Sequence, residues 1–222
     1  EALKLAATNI EYSDTPAPKV VAFTSSGPGE GKTLTAANIA ISYAQNGYKT
    51  LLLDLDMRRP RVEKVLGIER GNIGIVNHLL KDVPLDKIIQ DYLENFDIIP
   101  VGPVPPNPTA LLTSKKLEEA MNILKSEYDR IVIDLPPILA AADALIISKY
   151  TDGIVIVTRA GRTQKASFRI AYDNIKTSGI KLLGAVINGI NSKYSSYYYY
   201  YYYYYYTEEG KKVRRRKRKG SE

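Results

Sequence analysis

Eight consecutive residues, Ser26 to Thr33, have the composition of a phosphate-binding loop. They read Ser-Gly-Pro-Gly-Glu-Gly-Lys-Thr and lie two residues after an apolar run, residues 20–23, that predicts a buried strand. In such a loop the backbone N–H groups converge on phosphate oxygens, and the N-terminus of the following helix adds positive potential. The usual pattern begins with Gly, whereas this chain has Ser26. The segment predicts binding of ATP or GTP, the alternative being a chance glycine turn.

Two side chains of the loop have expected tasks of their own. Lys32 is expected to reach the β- and γ-phosphates, and Thr33 is expected to hold Mg²⁺. The other loop residues expected to line the nucleotide are Gly27, Pro28, Gly29, Glu30 and Gly31.

Acidic residues end two further apolar runs. Asp54 and Asp56 follow residues 51–53, and Asp134 follows residues 131–133. In an open parallel sheet, ligands bind outside the carboxyl ends of the strands, so we expect these acids to share one crevice with the loop. One acid after a strand is more often a helix cap or a turn residue. Three acids beside one phosphate loop instead favour a nucleotide site with a divalent cation.

These motifs require a fold in which strands and helices alternate. Apolar runs predict strands near residues 19–24, 50–54, 96–101, 130–134, 153–158 and 183–188. Helical spacing of apolar residues covers residues 3–12, 33–46, 73–80, 109–127, 142–149 and 163–177. Alternation at these lengths indicates right-handed βαβ units. We therefore predict an α/β fold of the P-loop NTPase type, with a mostly parallel, doubly wound sheet and helices on both faces.

Composition argues against several other classes of protein. The 222 residues are 45% hydrophobic and suffice for one α/β domain. The chain has no Cys and a single His, His78, so disulfides and thiolate metal sites are excluded and a histidine-based metal site is not expected. No apolar run approaches the ~20 residues of a membrane span, and no signal peptide is recognisable.

Beyond residue 191 the alternation of strands and helices stops. Residues 192–222 contain ten consecutive tyrosines, Tyr197 to Tyr206, followed by a basic run. Residues 207–222 carry eight Lys and Arg against three Glu, a net charge of +5, which leaves +2 for the rest of the chain. A homopolymer has no alternation that could bury one face. We therefore predict a folded domain over residues 1–191 and a disordered tail over residues 192–222.

Four separate motifs resemble those of the bacterial tyrosine kinases (BY-kinases), which are the cytoplasmic kinase domains of proteins that control capsule and exopolysaccharide assembly. The motifs are the acid-x-acid-x-Arg strand that ends at Arg58, the Ile-Val-Ile-Asp-Leu-Pro strand at residues 131–136, the Pro-rich segment at residues 102–108, and the tyrosine cluster. ATPases of the partitioning and division-site type carry a second Lys five residues before the loop Lys, where this chain has Gly27.

The resemblance implies an ATP-dependent, Mg²⁺-requiring protein tyrosine kinase that phosphorylates its own tail in trans. Lys32 would offset charge on the transferred phosphoryl group, and Asp54 would accept the proton of the incoming tyrosine. Asp56 and Asp134 would hold Mg²⁺ directly or through water. The expected acceptors are Tyr197, Tyr198, Tyr199, Tyr200, Tyr201, Tyr202, Tyr203, Tyr204, Tyr205 and Tyr206.

Three further polar residues have two interpretations each. Arg58 and Arg59 either bridge to phosphate, which we favour, or pair with acids at a helix start. Asn188 ends the last predicted strand and either contacts adenine or occupies a turn before Gly189.

The resemblance also implies a location and partners. The location is the cytoplasmic face of the plasma membrane, with activation by a membrane-embedded polysaccharide co-polymerase or by an upstream region of the same chain. A tyrosine phosphatase is expected to reverse the reaction, the unphosphorylated chain is expected to form a homo-oligomer, and no nucleic acid partner is expected. The regulated process is capsular or exopolysaccharide polymerisation and export.

One family element differs in this chain. The first helix of BY-kinases carries a Glu-x-x-Arg-x-x-Arg pattern that packs subunits into a ring, and the matching residues are Glu1, Lys4 and Ala7. Lys is a poor replacement for a bidentate Arg contact. We therefore expect a weak ring contact that Lys4→Arg with Ala7→Arg should strengthen.

Two alternative functions stay open at this point. The first is a P-loop ATPase switch of the partitioning or division-site type, which positions partners without phosphorylating protein. The second is a nucleic-acid or membrane-binding module whose working part is the basic tail.

Overall fold

The computed structural model describes residues 2–69 and 71–190. The helices are α1 (Ala2–Glu11), α2 (Lys32–Gln45), α3 (Val62–Leu66), α4 (Ile75–Lys81), α5 (Pro108–Leu112), α6 (Lys115–Glu127), α7 (Asp143–Ile147) and α8 (Lys165–Thr177). The strands are β1 (Val20–Ser25), β2 (Thr50–Asp54), β3 (Gln90–Leu93), β4 (Phe96–Ile99), β5 (Arg130–Asp134), β6 (Gly153–Arg159) and β7 (Leu182–Asn188). Short 3₁₀ turns cover Leu85–Lys87 and Ser148–Tyr150.

The seven strands form one sheet in the order β3-β4-β2-β5-β1-β6-β7. All neighbouring strands are parallel except β3, which runs antiparallel to β4. This confirms the predicted mostly parallel sheet. Strand β1 lies between β5 and β6, where the chain passes from one half of the sheet to the other. The carboxyl end of β1 is therefore at a topological switch point, the place where open α/β sheets bind ligands.

Helices cover both faces of the sheet, and β1 shows why. Its side chains point alternately to the two faces, and all six residues are buried. Val20 and Ala22 belong to a core that includes residues of α4 to α8. Val21 and Phe23 belong to a second core with residues of α1, α2 and α3. A strand buried on both faces reads as a continuous apolar run, which is the pattern of residues 20–23.

The structure corrects one predicted helix. Residues 109–127 form α5 and α6 rather than one continuous helix. Between them, Ser114 has an extended backbone (ψ 148°), and its Oγ accepts a hydrogen bond from the N–H of Leu117 at 3.3 Å. This cap satisfies an N–H group at the start of α6 and explains the break. The short elements α3 and β3 were not predicted from the sequence.

Helix α1 packs on α2, and this packing corrects the expectation for Ala7. Ala7 is only 1% exposed and belongs to the second core, whereas Lys4 is exposed. An Arg at position 7 would place a long charged side chain in this core. The expectation that Ala7→Arg strengthens a contact between subunits is therefore wrong for this structure.

The predicted tail, residues 192–222, lies outside the described residues, and so do the ten candidate acceptor tyrosines. Within residues 2–69 and 71–190, no helix combines the length and apolar character that crossing a bilayer requires.

Candidate functional site

The loop between β1 and α2 has the backbone conformation that its glycines allow. Gly29 and Gly31 have φ angles of 76° and 93°, in the left-handed region that favours glycine. A Cβ atom at Gly31 would also lie only 2.5 Å from Asn188 Nδ2, so this position needs glycine for space as well. Helix α2 begins immediately afterwards, at Lys32. The predicted phosphate-binding loop therefore lies at the switch point, in front of a helix N-terminus.

Ser26, which stands where the usual pattern has glycine, has a partner inside the loop. Its Oγ lies 2.8 and 3.1 Å from the two carboxylate oxygens of Glu30, and both residues are buried. The N–H of Gly27 also donates to Glu30, at 3.1 Å, and the Thr163 hydroxyl donates to it at 2.6 Å. The Glu30 side chain therefore braces the loop from within. Contact of Glu30 with a nucleotide would have to come from its backbone.

Four of the predicted site residues meet at the carboxyl ends of β2 and β5. The Nζ atom of Lys32 lies 2.7 Å from Asp56 Oδ2 and 3.3 Å from each carboxylate oxygen of Asp134. The Thr33 hydroxyl donates to Asp134 Oδ2 at 2.7 Å. The Lys32 side chain is 11% exposed, and the two acids are almost completely buried. We call Lys32, Thr33, Asp56 and Asp134 the Lys32 cluster.

Asp54 lies beside this cluster but makes different contacts. The parallel register pairs it with Asp134 across β2 and β5. Its Oδ1 accepts a hydrogen bond from the N–H of Asp56 at 3.0 Å, and its Oδ2 accepts one from the N–H of Val62 at 3.3 Å. Asp54 is 1% exposed. Its carboxylate therefore fixes the backbone that follows β2, whatever further role it has.

Burial and mutual repulsion change the proton affinity of these groups. Burial raises the pKa of Asp54 well above its usual range, and the charge of Asp134 adds to the effect. Burial also raises the pKa of Asp134, although Lys32 and Thr33 oppose the change. Burial alone would lower the pKa of Lys32, but Asp134 and Asp56 outweigh it and raise that pKa. Lys32 is therefore charged at neutral pH, and Asp54 and Asp134 bind protons more readily than exposed carboxylates do.

The oxygen atoms of the Lys32 cluster suit Mg²⁺. This cation prefers oxygen ligands, keeps several waters, and usually takes one or two carboxylates together with substrate phosphates. In the described part of the chain, no three acidic or imidazole side chains converge into a metal site made of protein alone. Thr33, Asp56 and Asp134 present oxygen atoms of the kind that Mg²⁺ takes together with phosphates and water.

The structure shows Arg58 in the second of its two interpretations, paired with an acid at a helix start, and a bridge to phosphate stays a prediction for this side chain. Its Nε and Nη2 donate to the two carboxylate oxygens of Asp143 at 2.9 and 3.0 Å, and Nη2 also contacts Thr109 Oγ1 at 3.3 Å. Asp143 is fully buried in the first turn of α7. The backbone N–H of Arg59 donates to Asp56. Sequence reasoning missed Asp143, because an acid in a segment with helical spacing looks like an ordinary surface residue.

Asn188 ends β7 and lies against the phosphate loop. Its Nδ2 donates to the backbone oxygen of Glu30 at 3.1 Å and to Thr35 Oγ1 at 3.0 Å. Its side chain thus holds the loop and the first turn of α2. Contact with adenine stays a prediction. Sequence reasoning also missed Thr163, whose hydroxyl reaches the same loop from the turn after β6.

Comparison with known proteins identifies the family of this chain. Residues 18–167 match a family model described as an AAA domain. The tyrosine-protein kinase YwqD of Bacillus subtilis (strain 168) is 42% identical over 193 residues, which make up 86% of this chain and 81% of YwqD. The chain belongs to the bacterial tyrosine kinase family.

Solved structures of this fold include one from the capsule-associated relatives and one from the ATPases considered as an alternative. The chimerical protein CapA2B2 has a TM-score of 0.79 and 34% identity, over 83% of this chain and 82% of that one. The septum site-determining protein MinD of Pyrococcus horikoshii OT3, solved in complex with Mg-ADP, has a TM-score of 0.64 and 27% identity, over 76% of this chain and 69% of that one. Both share the P-loop NTPase fold. Membership of the bacterial tyrosine kinase family rests on the sequence relatives. It favours a kinase over an ATPase of the division-site type.

Proposed function

We propose that this chain is an ATP-dependent protein tyrosine kinase that phosphorylates its own tyrosine cluster in trans and thereby regulates capsular or exopolysaccharide polymerisation and export. The observation that carries the proposal is the Lys32 cluster, in which an ammonium group, a hydroxyl and two carboxylates meet in front of the phosphate loop. Phosphoryl transfer depends mainly on positioning and charge stabilisation, which these groups can supply.

The reacting groups have distinct roles in this proposal. The tyrosine oxygen attacks the γ-phosphorus of ATP, the bond from that phosphorus to the β–γ bridging oxygen breaks, and ADP leaves. The phenolic proton passes to Asp54, since a free tyrosine with a pKa near 10 needs a base at neutral pH. The raised pKa of Asp54 supports this role, because a base is most effective when its pKa approaches the working pH.

Lys32 neutralises charge on the transferred phosphoryl group and on the leaving oxygen. Thr33, Asp56 and Asp134 would hold Mg²⁺, which would neutralise phosphate charge when bound. The Mg-ADP complex of the related MinD fold supports the use of a magnesium nucleotide. Gly27 to Gly31 would bind the phosphates through their backbone N–H groups.

The tail is the proposed acceptor and the proposed switch. Each phosphotyrosine adds about −1.5 to −2 charges, so five of them change the tail by roughly −8 to −10. This exceeds the +5 of residues 207–222. The modified tail is then repelled from the reaction site of a neighbouring chain by Asp54, Asp56 and Asp134. The unphosphorylated chain therefore forms a homo-oligomer, and the phosphorylated chain dissociates. A membrane-embedded activator, at the cytoplasmic face of the membrane, and a tyrosine phosphatase complete the proposed cycle.

The test separates the enzyme from the acceptor. The acceptor is the 222-residue chain with Lys32→Met, and the donor is the same chain with Phe in place of Tyr197 to Tyr206. With Mg-ATP, mass spectrometry should find phosphate on tyrosines 197–206 of the acceptor. As a matched control, a donor that also carries Lys81→Met, at an exposed lysine, should act equally well. ATP hydrolysis without any phosphotyrosine would overturn the kinase function and favour the ATPase switch.

A further inference from the structure

A tight turn after β6 packs against the phosphate loop. The N–H groups of Arg162 and Thr163 both donate to the backbone oxygen of Arg159, at 3.1 and 2.9 Å, and Gly161 has a φ of 72°. The N–H of Arg159 donates back to Thr163 Oγ1 at 2.8 Å. The turn is therefore closed by its own hydrogen bonds.

One side-chain contact fastens this turn to the loop. Thr163 Oγ1 donates to Glu30 Oε1 at 2.6 Å while it accepts from Arg159, so its hydroxyl is used as donor and acceptor. Glu30 is 4% exposed and is also held by Ser26 and Gly27. A buried carboxylate with these partners is a rigid anchor. The hydrogen bond between Thr163 and Glu30 thus fixes the position of the turn on the phosphate loop.

The anchored turn brings two guanidinium groups to Gly29. Arg159 Nη1 donates to the backbone oxygen of Gly29 at 3.3 Å. The Cζ, Nη1 and Nη2 atoms of Arg162 would each lie 3.0 Å from a Cβ at Gly29, so the plane of this guanidinium covers the glycine. Glycine at this position leaves the space that the arginine occupies.

Arg162 and Lys32 differ in how their positive charges are paired. Lys32 is paired with two acids. In residues 2–69 and 71–190, none of the ion pairs involves Arg159 or Arg162. Gly29 lies in the middle of the loop, where the backbone of such motifs cradles the α- and β-phosphates. A guanidinium fork matches phosphate oxygens better than any other side chain.

We propose that Arg162 is a second cationic contact for the nucleotide, at the α- and β-phosphates, and that Thr163 is the residue that positions it. The proposal rests on the proposed function, since it assumes a nucleotide in the loop. Arg159, which donates to Gly29, completes the turn. Because the contact is with phosphates that ADP and ATP share, the binding affinity of both nucleotides depends on Arg162.

Binding of a fluorescent ADP analogue to the 222-residue chain, with Mg²⁺, tests the proposal without using activity. Arg162→Ala should weaken ADP and ATP analogues alike, by about tenfold, and Arg162→Lys should recover part of the loss. The salt dependence of binding should become flatter in Arg162→Ala, because one charge contact is missing. The matched control is Arg169→Ala, which removes an arginine on α8 that is 84% exposed and should leave binding unchanged.

Thr163 is tested as a positioning residue by a conservative pair. Thr163→Val keeps both arginines and should weaken ADP binding by about threefold, whereas Thr163→Ser retains the hydroxyl and should bind as the wild type does. Unfolding curves for every variant exclude loss of fold as the cause. Equal binding by Thr163→Val and the wild type would overturn the positioning role.

The outcomes separate this proposal from the proposed function. If the wild type binds ADP and Arg162→Ala binds equally well, the proposed contact is overturned while nucleotide binding stands. If Arg169→Ala loses as much affinity as Arg162→Ala, a general charge effect replaces the specific contact. If the folded wild type binds no nucleotide, the proposed function and this inference fail together.

Discussion

Two groups of ion pairs with buried carboxylates lie after β2 and β5, and they are built differently. In the Lys32 cluster, one ammonium group is shared by Asp56 and Asp134, at 2.7 and 3.3 Å. In the second group, both carboxylate oxygens of Asp143 are held by the guanidinium of Arg58, at 2.9 and 3.0 Å. A shared point charge can change partners at little cost, whereas a bidentate fork fixes one geometry.

This difference indicates that the Lys32 cluster takes part in the reaction and that the pair of Arg58 and Asp143 stabilises the structure around it. We call Arg58 and Asp143 the supporting pair. Arg58 comes two residues after Asp56, and Asp143 lies in α7, which follows β5 and Asp134. The pair of Arg58 and Asp143 therefore ties together the two segments that carry the acids of the Lys32 cluster. We expect substitutions in this pair to affect stability first, and substitutions of Lys32 to affect chemistry first.

The largest expected loss of stability comes from removing the arginine of the supporting pair. Arg58→Met leaves Asp143 fully buried without its cation, which should lower the free energy of unfolding by about 3–5 kcal/mol. Urea unfolding at neutral pH measures it. The matched control is Arg169→Met, in an exposed pair with Asp173. A loss below about 1 kcal/mol in Arg58→Met would mean that Asp143 does not depend on this arginine.

The Lys32 cluster should show a smaller loss that depends on pH. Asp54 and Asp134 have raised pKa values in the fold, so ionising them costs the native state free energy. Their favourable contribution is complete below the unfolded pKa of about 3.9 and is lost as pH rises through the folded values. Lys32→Met removes the cation that limits this loss. Its deficit in unfolding free energy should grow from under about 1 kcal/mol near pH 4.5 to about 2–3 kcal/mol at pH 8.

Urea unfolding of Lys32→Met and Lys81→Met over this pH range provides the measurement and its control. A deficit that stays constant, or that shrinks toward pH 8, would mean that the buried acids do not respond to the charge of Lys32.

Removing the acid of the supporting pair should cost less than removing its arginine. Asp143→Asn leaves Arg58, whose side chain is 40% exposed and can turn toward water. We expect a loss of about 1–2 kcal/mol, measured by urea unfolding. If Asp143→Asn and Arg58→Met lower the free energy of unfolding equally, burial of Asp143 does not make the loss of the arginine more costly than the loss of the acid.

The smallest effect is expected at an exposed pair far from both groups. The Nε of Arg169 lies 4.0 Å from Asp173 on α8, and both side chains are largely exposed. Arg169→Met should change the free energy of unfolding by no more than about 0.5 kcal/mol, because water and salt screen such pairs. A larger change would mean that Arg169→Met cannot serve as the control for the losses expected at Arg58, Lys32 and Asp143.

The sequence predicted the parts of the site that follow from local pattern and sheet geometry. Spacing identified the phosphate loop, and the rule that parallel strands end at one edge brought Lys32 together with Asp56 and Asp134. It offered pairing of Arg58 with an acid at a helix start as one of two interpretations, but it did not identify Asp143, because this contact depends on how a short helix packs against the loop after β2. Nothing in the local sequence distinguishes a buried acid from an exposed one in a helical segment.

Other misses have the same physical origin. The sequence predicted Glu30 only as a residue that lines the nucleotide, and its role as a brace appears only with Ser26 and Thr163 around it. Ala7 was assigned to a surface between subunits by its position in a motif, whereas the packing of α1 on α2 buries it. Such contacts join residues that are distant in the chain, and a periodic pattern carries no information about them.

The most direct test of the account compares the two charge groups in the reaction itself. The measurement is the initial rate of phosphotyrosine formation on a Lys32→Met acceptor, with donors that carry Lys32→Met or Arg58→Lys and are shown to be folded. We expect a loss of at least about 10²-fold for the Lys32→Met donor, since charge stabilisation of the transferred group is removed, and a loss within about tenfold for Arg58→Lys. A Lys32→Met donor with the rate of the wild type would contradict the assignment of the Lys32 cluster as the reaction site.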